Sequence, residues 1–268
     1  MASDSKSRIL LVTLAVCSVC AVLVSVAAVG LKPRQEVNQR MEKLRNILDA
    51  GGLLNGGVDV AEMYNRRIEA EFIRLVDGAP MPEKSVPRGV TPETFDFRRL
   101  ATGAETGRSL GSEDDLAGLR RIPEFMPIYL VRDAAGKVLK VILPVAGKGL
   151  WSTMFGFLAL DSDLRTIRGF TFYDHGETPG LGGEIDNPRW QEKWQGKLAF
   201  AADGQVMIEV LRGRVEPGDP LAPYRVDGIS GATKTTQGVQ GLVRFWLGEN
   251  GYGPFLDRAA QEGLNEAL

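Results

Sequence analysis

The stretch Tyr224-Arg225-Val226-Asp227-Gly228-Ile229-Ser230-Gly231-Ala232-Thr233-Lys234-Thr235-Thr236 runs directly into a helical pattern, Thr235 to Leu247, in which Val239, Leu242, Val243 and Trp246 share one face. Small hydroxylated residues and glycines therefore stand at a helix N-terminus. There, amides without intrahelical partners and the helix dipole favour an anion such as a phosphate. The spacing is not that of a P-loop, and no GxGxxG follows a strand in a βαβ unit. Two readings of the stretch are open at this point: an anion-binding turn, and a Ser/Thr-capped helix with no ligand.

Working outward, the residues before this helix have β texture. Pro127–Arg132 and Val138–Val145 are apolar runs flanking Asp133-Ala134-Ala135-Gly136-Lys137, a hairpin signal. Met154–Leu160, Thr166–Tyr173 and Val206–Leu211 read as further strands, and Asn187–Gln195 as a second helix. Strands grouped together with helices at their edges predict an α+β domain with a mainly antiparallel sheet, over residues 122–268.

Two loops within this region carry candidate binding residues. Gly147-Lys148-Gly149-Leu150-Trp151-Ser152-Thr153 follows a strand and sets a cation and an indole beside mobile backbone; it reads either as a ligand loop or as an ordinary hairpin connection. Asp174-His175-Gly176-Glu177-Thr178-Pro179-Gly180-Leu181-Gly182-Gly183-Glu184 suits a tightly folded loop whose amides and hydroxyl meet a polar, planar ligand. No Ser, Cys or second His is evident as a partner for His175, so a loop hydrogen bond is expected of it rather than acid–base work. Ser230 lies in Gly-Ile-Ser-Gly, not in a GxSxG elbow, which argues against a hydrolase.

The N-terminal third differs. Ile9 to Leu31 is a run of 23 residues without a charge, and at ~1.5 Å per residue it spans roughly 34 Å, enough for a hydrocarbon core of about 30 Å. It reads as a membrane anchor. A cleavable signal peptide with Val26-Ala27-Ala28 as its cleavage site is the competing reading, but its apolar region would be shorter. Cys17 and Cys20, the two cysteines of the chain, both lie inside this run. In lipid, thiols act as small apolar side chains, although at i, i+3 they share a face. Gln35–Ala50 is expected to be a helix ended by Gly51-Gly52, and Asp59 with Glu62 a capping box opening a helix to about Val76. Ala79–Arg121, rich in proline and charge, reads as a long surface connection. The chain thus divides into a tail (1–8), an anchor helix (9–31), a helical stalk with its connection (32–121) and the α+β domain.

Composition closes off several classes. With Lys+Arg 32 against Asp+Glu 34 there is no basic excess to neutralise phosphates, so nucleic acid is not an expected partner. One histidine and two cysteines supply no ligand set for zinc or an iron–sulfur cluster, and no metal site is expected. Redox chemistry would need an organic cofactor or a partner's metal.

Asp227-Gly228-Ile229-Ser230-Gly231-Ala232-Thr233 resembles the flavinylation sequence of FMN-binding domains, in which a flavin transferase joins FMN through a phosphoester to the last threonine, here Thr233. Together with Glu177-Thr178-Pro179-Gly180-Leu181-Gly182, the single anchor and the chain length, the sequence resembles the C subunit of the bacterial Na+-translocating NADH:quinone oxidoreductase. The G subunit of Rnf ferredoxin:NAD+ oxidoreductases is the related alternative. The resemblance implies a covalent FMN carrying single electrons toward ubiquinone inside a membrane complex that exports Na+. It also implies other redox subunits, a flavin transferase and the lipid bilayer as partners.

Around the cofactor the resemblance implies Thr233, Ser230, Gly231, Ala232 and Thr236 at the phosphate end. Glu177, Thr178, Leu181 and Gly182 are implied at the ring, with Trp151 and Ser152 as neighbours. Two anions repel, so Asp227, with Gly228, is expected to orient the loop or to serve Mg2+ during attachment rather than to hold the phosphate. The family places the flavin domain on the outer, periplasmic face of the inner membrane. Lys32, Arg34, Arg40, Lys43 and Arg45 after the anchor argue the opposite by the positive-inside rule, although long domains translocate largely regardless of charge. A different class stays open, an accessory anchor subunit without flavin, for which Thr233→Ala would cost only about 1 kcal/mol as a lost cap.

Overall fold

The computed structural model describes residues 2–54, 57 and 59–267, without the side chains of residues 2–5 and 83. It separates into two compact units, residues up to Glu42 and residues from Lys43 onward. The first unit is helical and belongs to α1 (Ala2–Ala50). The tail expected at 1–8 is already helix from Ala2, and Met1 lies outside the described residues. Every side chain from Lys6 to Glu42 is exposed, and α1 is long and apolar enough to cross a membrane. Leucines and valines left bare over such a length would be untenable in water, and a hydrocarbon phase removes the penalty.

The second unit opens with the last turns of α1 and continues through α2 (Val60–Arg67), β1 (Ile68–Arg74), α3 (Phe97–Thr102), β2 (Gly107–Ser109) and β3 (Arg121–Pro123). The sheet strands β4 (Phe125–Arg132), β5 (Val138–Lys148), β6 (Thr153–Asp161) and β7 (Ile167–Asp174) come next. After these the chain forms α4 (Pro188–Gln191), β8 (Glu209–Val210), β9 (Arg225–Val226), α5 (Thr233–Leu247) and α6 (Gly253–Glu262). The main sheet is antiparallel throughout in the order β1-β4-β5-β6-β7, as the mainly antiparallel α+β expectation required.

Both faces of this sheet are covered, which explains why its strands read as continuous apolar runs rather than as alternation. On one face the end of α1 sets Leu44, Ile47 and Leu48 against Tyr129, Ile142 and Phe157. Gly169 lets that helix end approach, since a Cβ there would collide with the Ala50 carbonyl. On the other face α5 packs Val239, Leu242 and Trp246 over Leu143, Val145 and Met154. Two buried polar tips fix the register of that layer: Trp246 Nε1 donates to the Ala146 carbonyl at 2.7 Å and Tyr252 Oη to the Pro144 carbonyl at 2.7 Å.

Several expectations need correction. Asp59 does cap α2, accepting from the Glu62 amide at 2.9 Å, but the helix stops at Arg67 and Ile68–Arg74 is the edge strand pairing with β4. Pairing across a long sequence separation, with Ile68, Phe72 and Ile73 available to a strand, overrides the local helical pattern. The sheet therefore draws its edge strand from the region expected as stalk and connection, and the division at residue 122 does not describe it. The connection itself holds α3 and β2. Of Val206–Leu211 only Glu209–Val210 is strand, and Asn187–Gln195 is one α-turn followed by a 3-10 turn.

Candidate functional site

The Asp227–Thr236 turn emerges from β9 and feeds α5. Gly228 passes so close to the Leu211 carbonyl that no side chain fits, and its amide donates to the Gly213 carbonyl at 2.8 Å. Gly231 takes φ +73°, a left-handed conformation that glycine adopts without strain. The chain then enters α5 through Ala232, which caps the helix without a side-chain hydrogen bond. This removes the capped-helix explanation of the Ser/Thr content, because Thr233 is the first residue inside the helix and not its cap. The first-turn amides, which lack intrahelical partners, remain available.

The hydroxylated residues divide into two pairs. Thr235 and Thr236 are buried: Thr236 Oγ1 accepts from the Ile229 amide at 3.2 Å and Thr235 Oγ1 donates to Glu177 Oε2 at 2.5 Å. Ser230 and Thr233 are exposed. Thr236, expected at the cofactor, thus braces the turn from within, and Thr235, which sequence reasoning passed over, ties the helix to the second loop.

Asp227 also faces inward. Its Oδ1 accepts from the Val215 amide at 2.7 Å, its Oδ2 pairs with Lys193 Nζ at 2.7 Å, and its carbonyl accepts from Trp190 Nε1 at 2.9 Å. Burial works to raise its pKa, but the Lys193 ammonium and the Val215 amide outweigh this and hold the carboxyl below its ordinary range. Each oxygen carries one hydrogen bond or ion-pair contact, which fits the loop-orienting role.

Glu177 ties the Asp174–Glu184 loop to the Gly147–Thr153 loop. It is only 5 % exposed and accepts from the amides of Trp151 (2.9 Å), Leu150 (3.2 Å) and Ser152 (3.4 Å) as well as from Thr235. Burial again opposes ionisation, and these donors more than compensate, so the carboxyl titrates below its usual range. Gly149 and Gly182 make room for it: a Cβ on Gly149 would stand 2.5 Å from Glu177 Oε1, and one on Gly182 would meet Glu177 Oε2 at 2.8 Å and collide with Thr235 Oγ1. Gly182 is therefore buried packing, while Thr178 is exposed. The loop is further fixed by Ser152 Oγ accepting from the Gly176 amide at 2.6 Å. His175 Nδ1 accepts from the Glu177 amide, and Nε2 pairs with Asp186 at 2.6 Å, the loop hydrogen bonding expected of that histidine.

With their backbones so held, Leu150 (51 % exposed), Trp151 (67 %) and Leu181 (46 %) project into solvent. Leu181 lies against the motif itself, its Cδ2 3.1 Å from where a Gly231 Cβ would be. An exposed indole, two exposed leucines of which Leu181 lies against the motif, and an exposed hydroxyl at an open helix N-terminus match what FMN needs: apolar surface for the ring, amides and a hydroxyl for the phosphate. Among the described residues there is no His/Cys/Asp/Glu cluster able to hold a metal.

Residues 149–248, which contain the Asp174–Glu184 loop, the Asp227–Thr236 turn and the 149–153 part of the first loop, match the model of the FMN-binding domain family. Over nearly its full length the chain is similar to the C subunit of the Na(+)-translocating NADH-quinone reductase of Yersinia pestis, at 44% identity over 98% of this chain and 96% of the relative. It is likewise similar to that of Pseudomonas aeruginosa, at 42% identity over 94% and 95%. The crystal structure of NqrC from Shewanella oneidensis superposes with a TM-score of 0.73 at 32% identity, covering 82% of this chain and 97% of that one. The class is thus that of proteins with an FMN-binding domain on an α+β scaffold. The chain belongs to the family formed by the C subunits of the Na(+)-translocating NADH-quinone reductases.

Proposed function

We propose that this chain carries electrons within a membrane NADH–quinone reductase that exports Na+, through FMN esterified to the hydroxyl of Thr233. The observation that carries the reading is the division of hydroxyls at α5: Thr235 and Thr236 are consumed by internal bonds, whereas Thr233 is exposed on the first turn. When bound, the flavin supplies one-electron carriage. The residues of the chain hold and orient it. Thr233 fixes the phosphate covalently, as suits a carrier that must not dissociate, with Ser230, Gly231 and Ala232 around it. Leu181, Trp151 and Thr178 bound the ring, and Glu177, Gly182, Ser152, Thr236, Asp227 and Gly228 keep the loops in place.

The bare apolar face of α1 supports a single span of the bacterial inner membrane, and the domain is assigned to the periplasmic side, where a flavin transferase would act and the other redox subunits would dock. Alkaline phosphatase fused after Leu268 should be active in cells; an inactive fusion refutes this orientation. The attachment is tested by ultraviolet in-gel fluorescence after denaturing electrophoresis of chain made with a flavin transferase. A fluorescent band that is dark in Thr233→Leu is expected. A dark wild-type band, with the transferase active on a control substrate, refutes the flavin reading and leaves the accessory anchor.

A further inference from the structure

We propose that Glu177 is a positioning residue for the flavin that also sets its redox potential: a buried carboxylate whose negative charge, held under the Leu150–Trp151–Ser152 backbone, makes the adjacent cofactor harder to reduce. The inference rests on the flavin reading above. Its basis is the company this carboxylate keeps. Four donors converge on it, three amides and the Thr235 hydroxyl, and among the described residues it forms no ion pair. Donors keep a carboxylate ionised without cancelling its charge, so a net negative charge remains in a poorly screened place. A structural tie between two loops could have been neutral. Here the two glycines that a Cβ would block, Gly149 and Gly182, are spent on admitting a charged group.

The location gives the charge a target. The amides that grip it belong to the same residues whose side chains, Leu150 and Trp151, stand out into solvent, and Thr235 is two positions from Thr233. Reduction adds negative charge to the flavin, so a fixed anion nearby opposes it and a neutral replacement eases it. Taking an effective dielectric of about 20 and a separation of about 12 Å, removing the charge favours the reduced form by about tenfold. For one electron that is a shift of about 59 mV to more positive potential.

The test compares wild type, Glu177→Gln and Thr235→Val, each as the full chain. Glutamine keeps an acceptor for the Trp151 and Ser152 amides and lacks the charge; valine keeps the charge and lacks one donor. In unflavinylated chain, hydrogen exchange at the amides of residues 150–152 should quicken in both variants. In flavinylated chain, titration against reference dyes should move about tenfold toward reduction in Glu177→Gln and less than twofold in Thr235→Val.

A loaded Glu177→Gln at the wild-type potential overturns the proposal. So does an equal shift in Thr235→Val, which would make loosening and not charge the cause. Should Glu177→Gln not fold, unchanged exchange in Thr235→Val overturns the positioning role. A dark wild-type band in the gel refutes the flavin reading itself, whereas the exchange experiment needs no flavin, so the two failures are distinguishable.

Discussion

Gly182→Ala should damage the site more than any change on its surface. The added methyl carbon would stand 2.8 Å from Glu177 Oε2 and 3.1 Å from Glu177 Cβ, and it would collide with Thr235 Oγ1. None of these atoms can swing aside into solvent, because Glu177 and Thr235 are both buried. Overpacking of this kind costs about 1–3 kcal/mol, and parting the Thr235 hydroxyl from a carboxylate removes a charge-assisted bond valued at about 1.5–3 kcal/mol. Since the side chains will relieve one cost by accepting part of the other, a total of about 3 kcal/mol is expected, or about 6–12 °C in melting temperature for a unit of this size.

Thermal unfolding of the full chain in detergent, followed by near-ultraviolet circular dichroism, measures it, with Gly213→Ala as control because a Cβ there meets nothing within 4 Å. The control should stay within about 0.5 kcal/mol of wild type. A loss below about 1 kcal/mol in Gly182→Ala would refute the account of Gly182 as room made for the Glu177–Thr235 bond.

Thr236→Val strips the Ile229 amide of its acceptor in a buried place and should cost about 1–3 kcal/mol by chemical denaturation while lowering flavin incorporation in the gel assay. Asp227 has its pKa depressed in the folded state, so its contribution is present above the unfolded value of 3.8 and lost as pH falls through the folded one. Asp227→Asn should therefore be less stable than wild type at neutral pH, with the difference shrinking below about pH 4. Trp151→Ala should change stability by less than about 0.5 kcal/mol, as its side chain is exposed. If the flavin lies over that indole, the variant should show brighter flavin fluorescence than wild type; equal brightness refutes the contact.

The parts legible in the sequence were those encoded locally. The apolar run of the anchor, the hairpin at Asp133–Lys137, the strands that became β4 to β7 and the helix beginning near Thr235 all follow from composition and period within a short window. What escaped was encoded at a distance. β1 reads as the tail of a helix because nothing near it announces β4, its partner. Glu177 and Thr236 read as residues facing the cofactor, and only the tertiary fold reveals that both are turned inward and that Thr235, unremarkable in sequence, meets Glu177 across the site. The motif fixed which residues matter while the burial of each hydroxyl decided how.

If Thr233 carries the flavin as proposed, that burial also accounts for the selectivity among the hydroxyls. Ser230, Thr233, Thr235 and Thr236 lie within seven residues, and a modifying enzyme working on the unfolded chain would meet four similar nucleophiles. Folding withdraws two of them. Of the pair left exposed, Ser230 precedes the left-handed turn at Gly231, while Thr233 opens α5, where the first-turn amides favour an incoming phosphate. On the proposed attachment, the choice of Thr233 over its neighbours belongs to the folded domain, and Thr235 and Thr236, by bonding inward, are withheld from it. Unfolding the turn should blur the choice: with Gly231→Val, which the φ of +73° disfavours, mass spectrometry of tryptic peptides should find less flavin in total and a larger share of it away from Thr233. Modification confined to Thr233 at the wild-type level would show that the enzyme reads the sequence and not the fold.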